Sequence, residues 1–249
     1  MAAQDFSAGN YRFIPAVFQY SGGVAALPGY EIRRICLREP VPLAEGFSRI
    51  EHTIKEAGRP LASFCACELR SPAPFTEIGF DAFNKIYVVT LQKWGIFDGA
   101  VNPVARSNVC PAMDPPAEPS LHAFSFTIPA TDLAPTFVIA GCAEVREGAE
   151  DYAARIVRAG ETSADAMREK ARVVLDEQQR RLDVFGLTWA DTTATQVYSV
   201  QNIHPFMGDE IAWRGAARSG LTWHFCRPPV KGLEFEMDCR SVNWESIIT

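Results

Sequence analysis

Apolar residues return at steps of three and four over two long stretches of the chain, the spacing of a single buried stripe on an α-helix. In the first stretch Leu43, Phe47, Ile50, Ile54 and Ala57 form the stripe, and Gly58 offers a left-handed stop. The second uses Met167, Ala171, Val174, Leu182 and Phe185, with a capping-box-like start at Thr162 and Asp165 and a stop at Gly186. After each glycine the period changes. Residues 61–69 and 192–200 alternate β-branched and aromatic residues with small or polar ones, which predicts strands. Ile78, Phe83, Tyr87 and Leu91 give a further helical pattern over 75–94, whereas 201–215, with Pro205 and two glycines, predicts a loop.

The order of these elements occurs twice. Each copy reaches an Ala-Arg-Ser triplet, Ala105-Arg106-Ser107 and then Ala217-Arg218-Ser219, followed by a short apolar segment, a proline pair and a last alternating strand at 121–128 or 233–239. A strand at 136–140 opens the second copy, so the boundary falls within 129–135 and the chain divides into a unit at 1–132, with an N-terminal extension, and a unit at 133–249. Strand, helix, strand, optional helix, strand, strand predicts an α+β unit, a mixed sheet with helices on one face. The uncovered face is expected to pack on other copies of the unit, since 11% of the residues are aromatic.

The 249 residues, 47% hydrophobic and 22% charged, suffice for two domains of about 125 residues each. Lys and Arg total 24 against 30 Asp and Glu, a net charge of -6 that argues against a broad nucleic-acid surface. No stretch approaches the roughly 18 apolar residues of a membrane span, and the N-terminus carries no basic leader, so a cytoplasmic protein is expected. Seven scattered cysteines then imply reduced, mostly buried thiols, and Cys65 and Cys67 are expected on one face of a strand. Four histidines without CxxC or HxxxH spacing predict no metal site, and Ser21-Gly22-Gly23 lacks the following lysine of a phosphate loop.

Arg106 and Arg218 are the leading candidate site residues, because a guanidinium presents a planar fork of donors to a carboxylate and keeps its charge. Along 233–239, period-two geometry sends Leu233, Phe235, Met237 and Cys239 to one face and Glu234, Glu236 and Asp238 to the other. Such an acidic face is either solvated or holds a general base. Tyr87 and Tyr198 either orient a substrate or satisfy a buried partner. Ser107 and Ser219 have no base within sequence reach, and His122 is expected in the core.

The strand at 136–145, the helix ending at Gly186, the strand at 192–200, Ala217-Arg218-Ser219 and the acidic strand at 233–238, together with Phe83-Asn84-Lys85-Ile86-Tyr87 and Arg106 in the first copy, resemble the Rid (YjgF-like) family of enamine/imine deaminases. The resemblance covers roughly residues 30–245. It implies tandem chorismate-mutase-like units, trimers (a pseudo-hexamer of repeats), ligand clefts where units meet, and cofactor-free hydrolysis of an enamine or imine of a small carboxylate to ammonia and a keto product. It also implies Glu234 as the carboxylate that holds the attacking water, with Glu236 as the register alternative, and Asn84 as a group lent to the cleft. The first copy's last strand has no acid and the second copy lacks the helix bearing an asparagine, so either composite clefts or a single active class of cleft is expected. A dicarboxylate such as 2-aminomuconate, met in aromatic catabolism, would use two arginine forks. The alternatives are chorismatase-like or cyclic-amide hydrolysis on the same scaffold, or a non-catalytic protein that binds a carboxylate metabolite. RNA cleavage is disfavoured by the acidic balance.

Overall fold

The computed structural model describes residues 2–131, 134–146 and 151–249; the expected unit boundary between 132 and 133 lies outside them. The first part of the chain runs β1 (Gln4–Phe6), β2 (Tyr11–Phe13), β3 (Gly23–Ala26), β4 (Tyr30–Pro42), α1 (Leu43–Glu56), β5 (Phe64–Arg70), α2 (Glu77–Lys93), β6 (Ala105–Pro111) and β7 (Ser120–Pro129). It continues with β8 (Phe137–Ala143), α3 (Tyr152–Arg155), α4 (Ala164–Val184), β9 (Ala194–Tyr198), α5 (His204–Phe206), β10 (Thr222–His224), β11 (Cys226–Arg227), β12 (Glu236–Ser241) and β13 (Glu245–Ile248). No helix among the described residues is long and apolar enough to cross a membrane.

These strands form two mixed sheets, ordered β11-β6-β5-β7-β4-β13 and β1-β2-β3-β8-β12-β9-β10. Within them β6-β5-β7-β4 and β10-β9-β12-β8 share one connectivity: strand, helix, strand two places away, a parallel neighbour, then an antiparallel strand in the middle. Where the first half has α2, the second has α5 followed by a π-helical turn at Met207–Ala212, so the expected loop is helical over part of its length. Each sheet is extended by strands from the other end of the chain. β3 pairs with β8, carrying β1 and β2 into the second sheet, while β11 pairs with β6 and β13 with β4 in the first.

The helical stripes lie on the sheets as their periods require. Phe47, Ile50, Ile54, Tyr87 and Leu91 of α1 and α2 cover Phe64, Cys67, Leu69 and Phe124; Met167, Ala171, Val174 and Leu182 of α4 cover Phe137, Ile139, Val197 and Met237. Thr76 and Ser163 cap α2 and α4, accepting hydrogen bonds from the Gly79 and Ala166 amides, so the cap of the long helix falls one residue after Thr162. The faces turned away from the helices meet each other inside the chain, around Tyr11, Val24, Ala66, Ala105 and Ala140. Cys65 and Cys67 do not share a face. The β5–β7 register slips between Phe64 and Ala66, a bulge that sends Cys65 into the layer between the sheets and leaves Cys67 under the helices.

α1 approaches β7 at Gly46, where an added Cβ would stand 2.6 Å from the Leu121 Cβ. An alanine gains up to about 1 kcal/mol of helix propensity, while overpacking costs about 1–3 kcal/mol. Gly46→Ala should therefore lower Tm, and the same change made in Leu121→Ala should raise it; thermal unfolding of the four proteins measures the coupling.

Candidate active site

A cleft of about 920 Å³ opens between the halves. One wall is α2 and β6; the other is β8, α4 and the segment leading into β12. Tyr20, ahead of β3, also lines it. The walls are tied together at one end, where the Phe75 amide donates to the Pro229 carbonyl and the Lys231 amide to the Phe75 carbonyl, at 2.8 and 2.9 Å.

Arg106 sits on β6 beside Cys67 of β5, on the face that carries α2. Phe80, Phe83 and Tyr87 project from one side of that helix at spacings of three and four. Their rings, with Tyr20, surround the guanidinium at 5.6, 5.8, 4.7 and 5.2 Å from its central carbon. Arg106 is 3% exposed, and its Nη1 and Nη2 have no hydrogen-bond partner among the described residues. The aromatic faces recover part of the lost hydration, about 2 kcal/mol for a desolvated cation–π contact, but supply no acceptor. A buried fork of donors without an acceptor is unfavourable unless a ligand completes it.

Glu236 faces the same cleft from the first position of β12 and is 4% exposed. Its carboxylate fits because residue 141 is glycine: a Cβ there would collide with Glu236 Oε1 and come within 3.1 Å of Ser107 Oγ. Burial, reinforced by the Asp238 and Glu144 carboxylates, pushes the Glu236 carboxyl well above the usual range, against the pull of the Arg106 and Arg70 guanidiniums. No hydrogen bond among the described residues offsets this. Asp238, two residues on, differs: Ser107 Oγ, Gln196 Nε2 and Tyr198 OH all donate to it, at 2.6, 2.8 and 2.9 Å. Glu144 fixes the approach to Glu236. It accepts the amides of Glu234 and Phe235 at 2.6 and 3.0 Å, and Lys170 Nζ stands 3.2 Å away, with both side chains fully buried.

The structure thus brings Arg106 and Glu236 together and places the other sequence candidates elsewhere. Arg218 is exposed in a turn and donates to the Ala190 carbonyl at 2.8 Å. Gly215 and Gly220, at φ 93° and 94°, bound that turn, and the strand that parallels β9 as β6 parallels β5 begins only at Thr222. The second triplet therefore does not occupy the position of the first. Glu234 is half-buried away from the cleft, accepting from Gln201 Nε2 and Arg227 Nη1 at 2.9 and 3.2 Å. Asn84 is fully buried on α2 with its amide atoms unpartnered. Tyr87 lies under Arg106, its hydroxyl 3.3 Å from Cys67 Sγ, and Tyr198 serves Asp238. Ser107 donates to Asp238, and Ser219 to the Thr192 carbonyl at 2.6 Å. His122 lies at a second register slip in β5–β7, its Nε2 3.7 Å from Cys36 Sγ, and burial lowers its pKa to about 3.

Sequence reasoning missed Tyr20, Asn108, Gly141, Tyr152, Arg155 and Arg181, which also line the cleft. Only Gly141 left a signal, as a glycine inside a strand pattern, where close approach of a neighbouring group is one reason for its presence.

A crystallised chorismatase superposes with a TM-score of 0.51 at 12% sequence identity, covering 89% of this chain and 77% of that one, a likeness of fold alone. A 2-amino-5-chloromuconate deaminase from Comamonas testosteroni is 51% identical over 245 residues, 98% of each chain. The family described as 2-aminomuconate deaminase CnbZ matches residues 3–246. Because that match spans nearly the whole chain, a span that takes in both walls of the cleft, the chain belongs to the 2-aminomuconate deaminase CnbZ family.

Proposed function

We propose that this protein is a hydrolytic deaminase of a 2-amino dienoic dicarboxylate of the 2-aminomuconate type, in the breakdown of aromatic compounds. The observation that carries the reading is the pairing, in one cleft, of an unpartnered guanidinium at Arg106 with the raised carboxyl of Glu236. Family membership and the 51% identical deaminase support the substrate class. Arg106 forks the carboxylate next to the amino-bearing carbon. Glu236, whose raised pKa retains a proton where an ordinary carboxylate has lost it, protonates the far carbon of the enamine and leaves an imine conjugated to the acid. As carboxylate it then takes a proton from water while the water oxygen bonds to the imine carbon. That proton passes to the amine, and as the C–N bond breaks the carbinol hydroxyl gives its own proton back to Glu236, so one water enters, one ammonia and a keto diacid leave, and the acid is restored.

The shared connectivity of the two sheets supports reading the halves as tandem Rid-type units. If such units keep a three-fold ring, three chains making two rings, six units in all, is the simplest closed assembly. Ile78, Trp213, Phe225 and Ile247, which the single chain leaves 54–87% exposed, supply apolar surface for such contacts. Sedimentation equilibrium should return three times the 27.5 kDa chain mass; a monomer would rule the ring out.

Ammonia release from 2-aminomuconate, generated in place, tests the reaction. Glu236→Gln should lower kcat by about 10²–10⁴-fold and Arg106→Gln should chiefly raise KM, while Arg218→Gln should leave both near wild type. The raised carboxyl also makes a stability prediction. A group that binds its proton more tightly folded than unfolded costs stability as pH climbs from its unfolded value through its folded one. Glu236→Gln should therefore melt higher than wild type at pH 8, by about 2–4 °C per 1 kcal/mol recovered, with the difference vanishing near pH 4. A lower melting temperature at pH 8 would contradict the buried, unpaired carboxylate.

A further inference from the structure

Besides Arg106, the cleft is lined by Arg146, Arg155, Arg180 and Arg181. Most of these are spoken for. Arg180 grips Glu177 through Nε and Nη2, both at 2.7 Å. Arg181 also bonds Glu177, at 2.6 Å, and gives Nη1 to the Ala140 and Gly22 carbonyls, tying α4 to the sheet. Arg146 pairs with Glu169 at 3.3 Å. Arg155 makes no ion pair among the described residues: Nη1 reaches the Arg146 carbonyl at 3.2 Å, Nε is buried without a partner, and the guanidinium lies over the Tyr152 ring at 5.5 Å.

The second unpaired guanidinium is held firmly. The Arg146 amide donates to the Arg155 carbonyl at 3.0 Å and Val145 bridges Ile156, so α3 is stitched to the segment that follows β8. Two phenols link the arginines through the acid. Tyr20 stands in the fields of Arg106, Arg181 and Glu236; Tyr152 stands in those of Tyr20, Glu236 and Arg155. Arg106 and Arg155 thus line the cleft that holds Glu236, one from each half of the chain, and neither pairs with a carboxylate among the described residues.

We infer that Arg155, backed by Tyr152, is the subsite for the second carboxylate of the substrate, and that it makes the cleft selective for dicarboxylates. The inference rests on the reading that Arg106 takes the carboxylate beside the amino carbon. It assigns Arg155 a role in binding and specificity, with no part in proton transfer.

Titration calorimetry of the full chain with trans,trans-muconate and sorbate tests it, because the two share a six-carbon diene and differ in one carboxylate. Wild type should bind muconate about 10- to 100-fold more tightly than sorbate, the worth of a charge-assisted fork. Arg155→Gln should bring muconate down to the sorbate value without changing sorbate, Arg155→Lys should keep part of the preference, and Arg106→Gln should weaken both ligands. The assignment is overturned if wild type shows no preference, if Arg155→Gln keeps it, or if that variant weakens both acids alike. A protein that shows the Arg155-dependent preference yet releases no ammonia from any 2-amino dienoate would sink the deaminase reading and leave the subsite standing.

Discussion

The seam between the two sheets governs what the rest of the molecule can do. Each sheet spends its helix-facing side on apolar packing, so the polar residues of the strands collect where the sheets face one another. A buried charge is tolerable there only when its hydrogen bonds are made inside. Most are. Arg34 grips Glu68 through two bonds of 2.7 and 3.0 Å, and Asp238 takes three donors. Against that background Glu236 is a seam carboxyl that no donor reaches among the described residues, and across the cleft, on the α2 side of β6, the terminal nitrogens of Arg106 find no acceptor among them. Gly141 permits the arrangement, because a side chain on that strand would occupy the space of the Glu236 carboxylate.

Neither half of the chain builds this cleft alone. Arg106 and its aromatic surround come from β6 and α2, Glu236 and Gly141 from β12 and β8, and Tyr20 from the segment ahead of β3, which belongs to the second sheet by pairing though it is first in sequence. The exchanged strands hold these parts in register. β11 edges the strand that carries Arg106, and the 229–231 segment that borders the cleft is bonded to the residue just before α2. Exchange of this kind couples the stability of each sheet to both ends of the chain, so the geometry of the cleft is set by the whole fold.

Much of this was legible from local patterns. The stripes at 43–57 and 167–185 became α1 and α4, the run at 75–94 became α2, and the alternation through 233–239 separated Phe235 and Met237 in the core from Glu236 and Asp238 in the seam. What failed was the step from order to register. The two Ala-Arg-Ser triplets look equivalent because the elements around them recur, yet one lies inside a strand and the other in a glycine-bounded turn, and the choice depends on where Thr222 meets Gln196, a contact no local signal specifies. The bulge that separates Cys65 from Cys67 is of the same kind, since period-two reasoning holds only until a residue is inserted. Tyr20, Tyr152 and Arg155 could not be found at all, because nothing beside them in sequence marks them and their meaning arises only when distant segments converge.

The free cleft also explains how binding and proton transfer can be coupled. With no ligand, the Arg106 guanidinium pulls the Glu236 carboxyl down while burial and the neighbouring acids push it up. A carboxylate seated on the Arg106 fork cancels that positive charge at close range and adds a negative one beside Glu236, in surroundings where charges are weakly screened. Both effects favour the protonated acid. In the proposed reaction, binding would then draw a proton onto Glu236 at the stage when an enamine carbon needs one, and by reciprocity the anion would bind more tightly where Glu236 is already protonated. Once that proton had left for the substrate, the proposed cationic imine would lie beside a carboxylate, and the same burial that raises the pKa of Glu236 would favour its taking a proton from water. In that proposal a single buried acid without internal donors serves both halves of a hydrolysis, a part less suited to Asp238, whose carboxylate already accepts three hydrogen bonds.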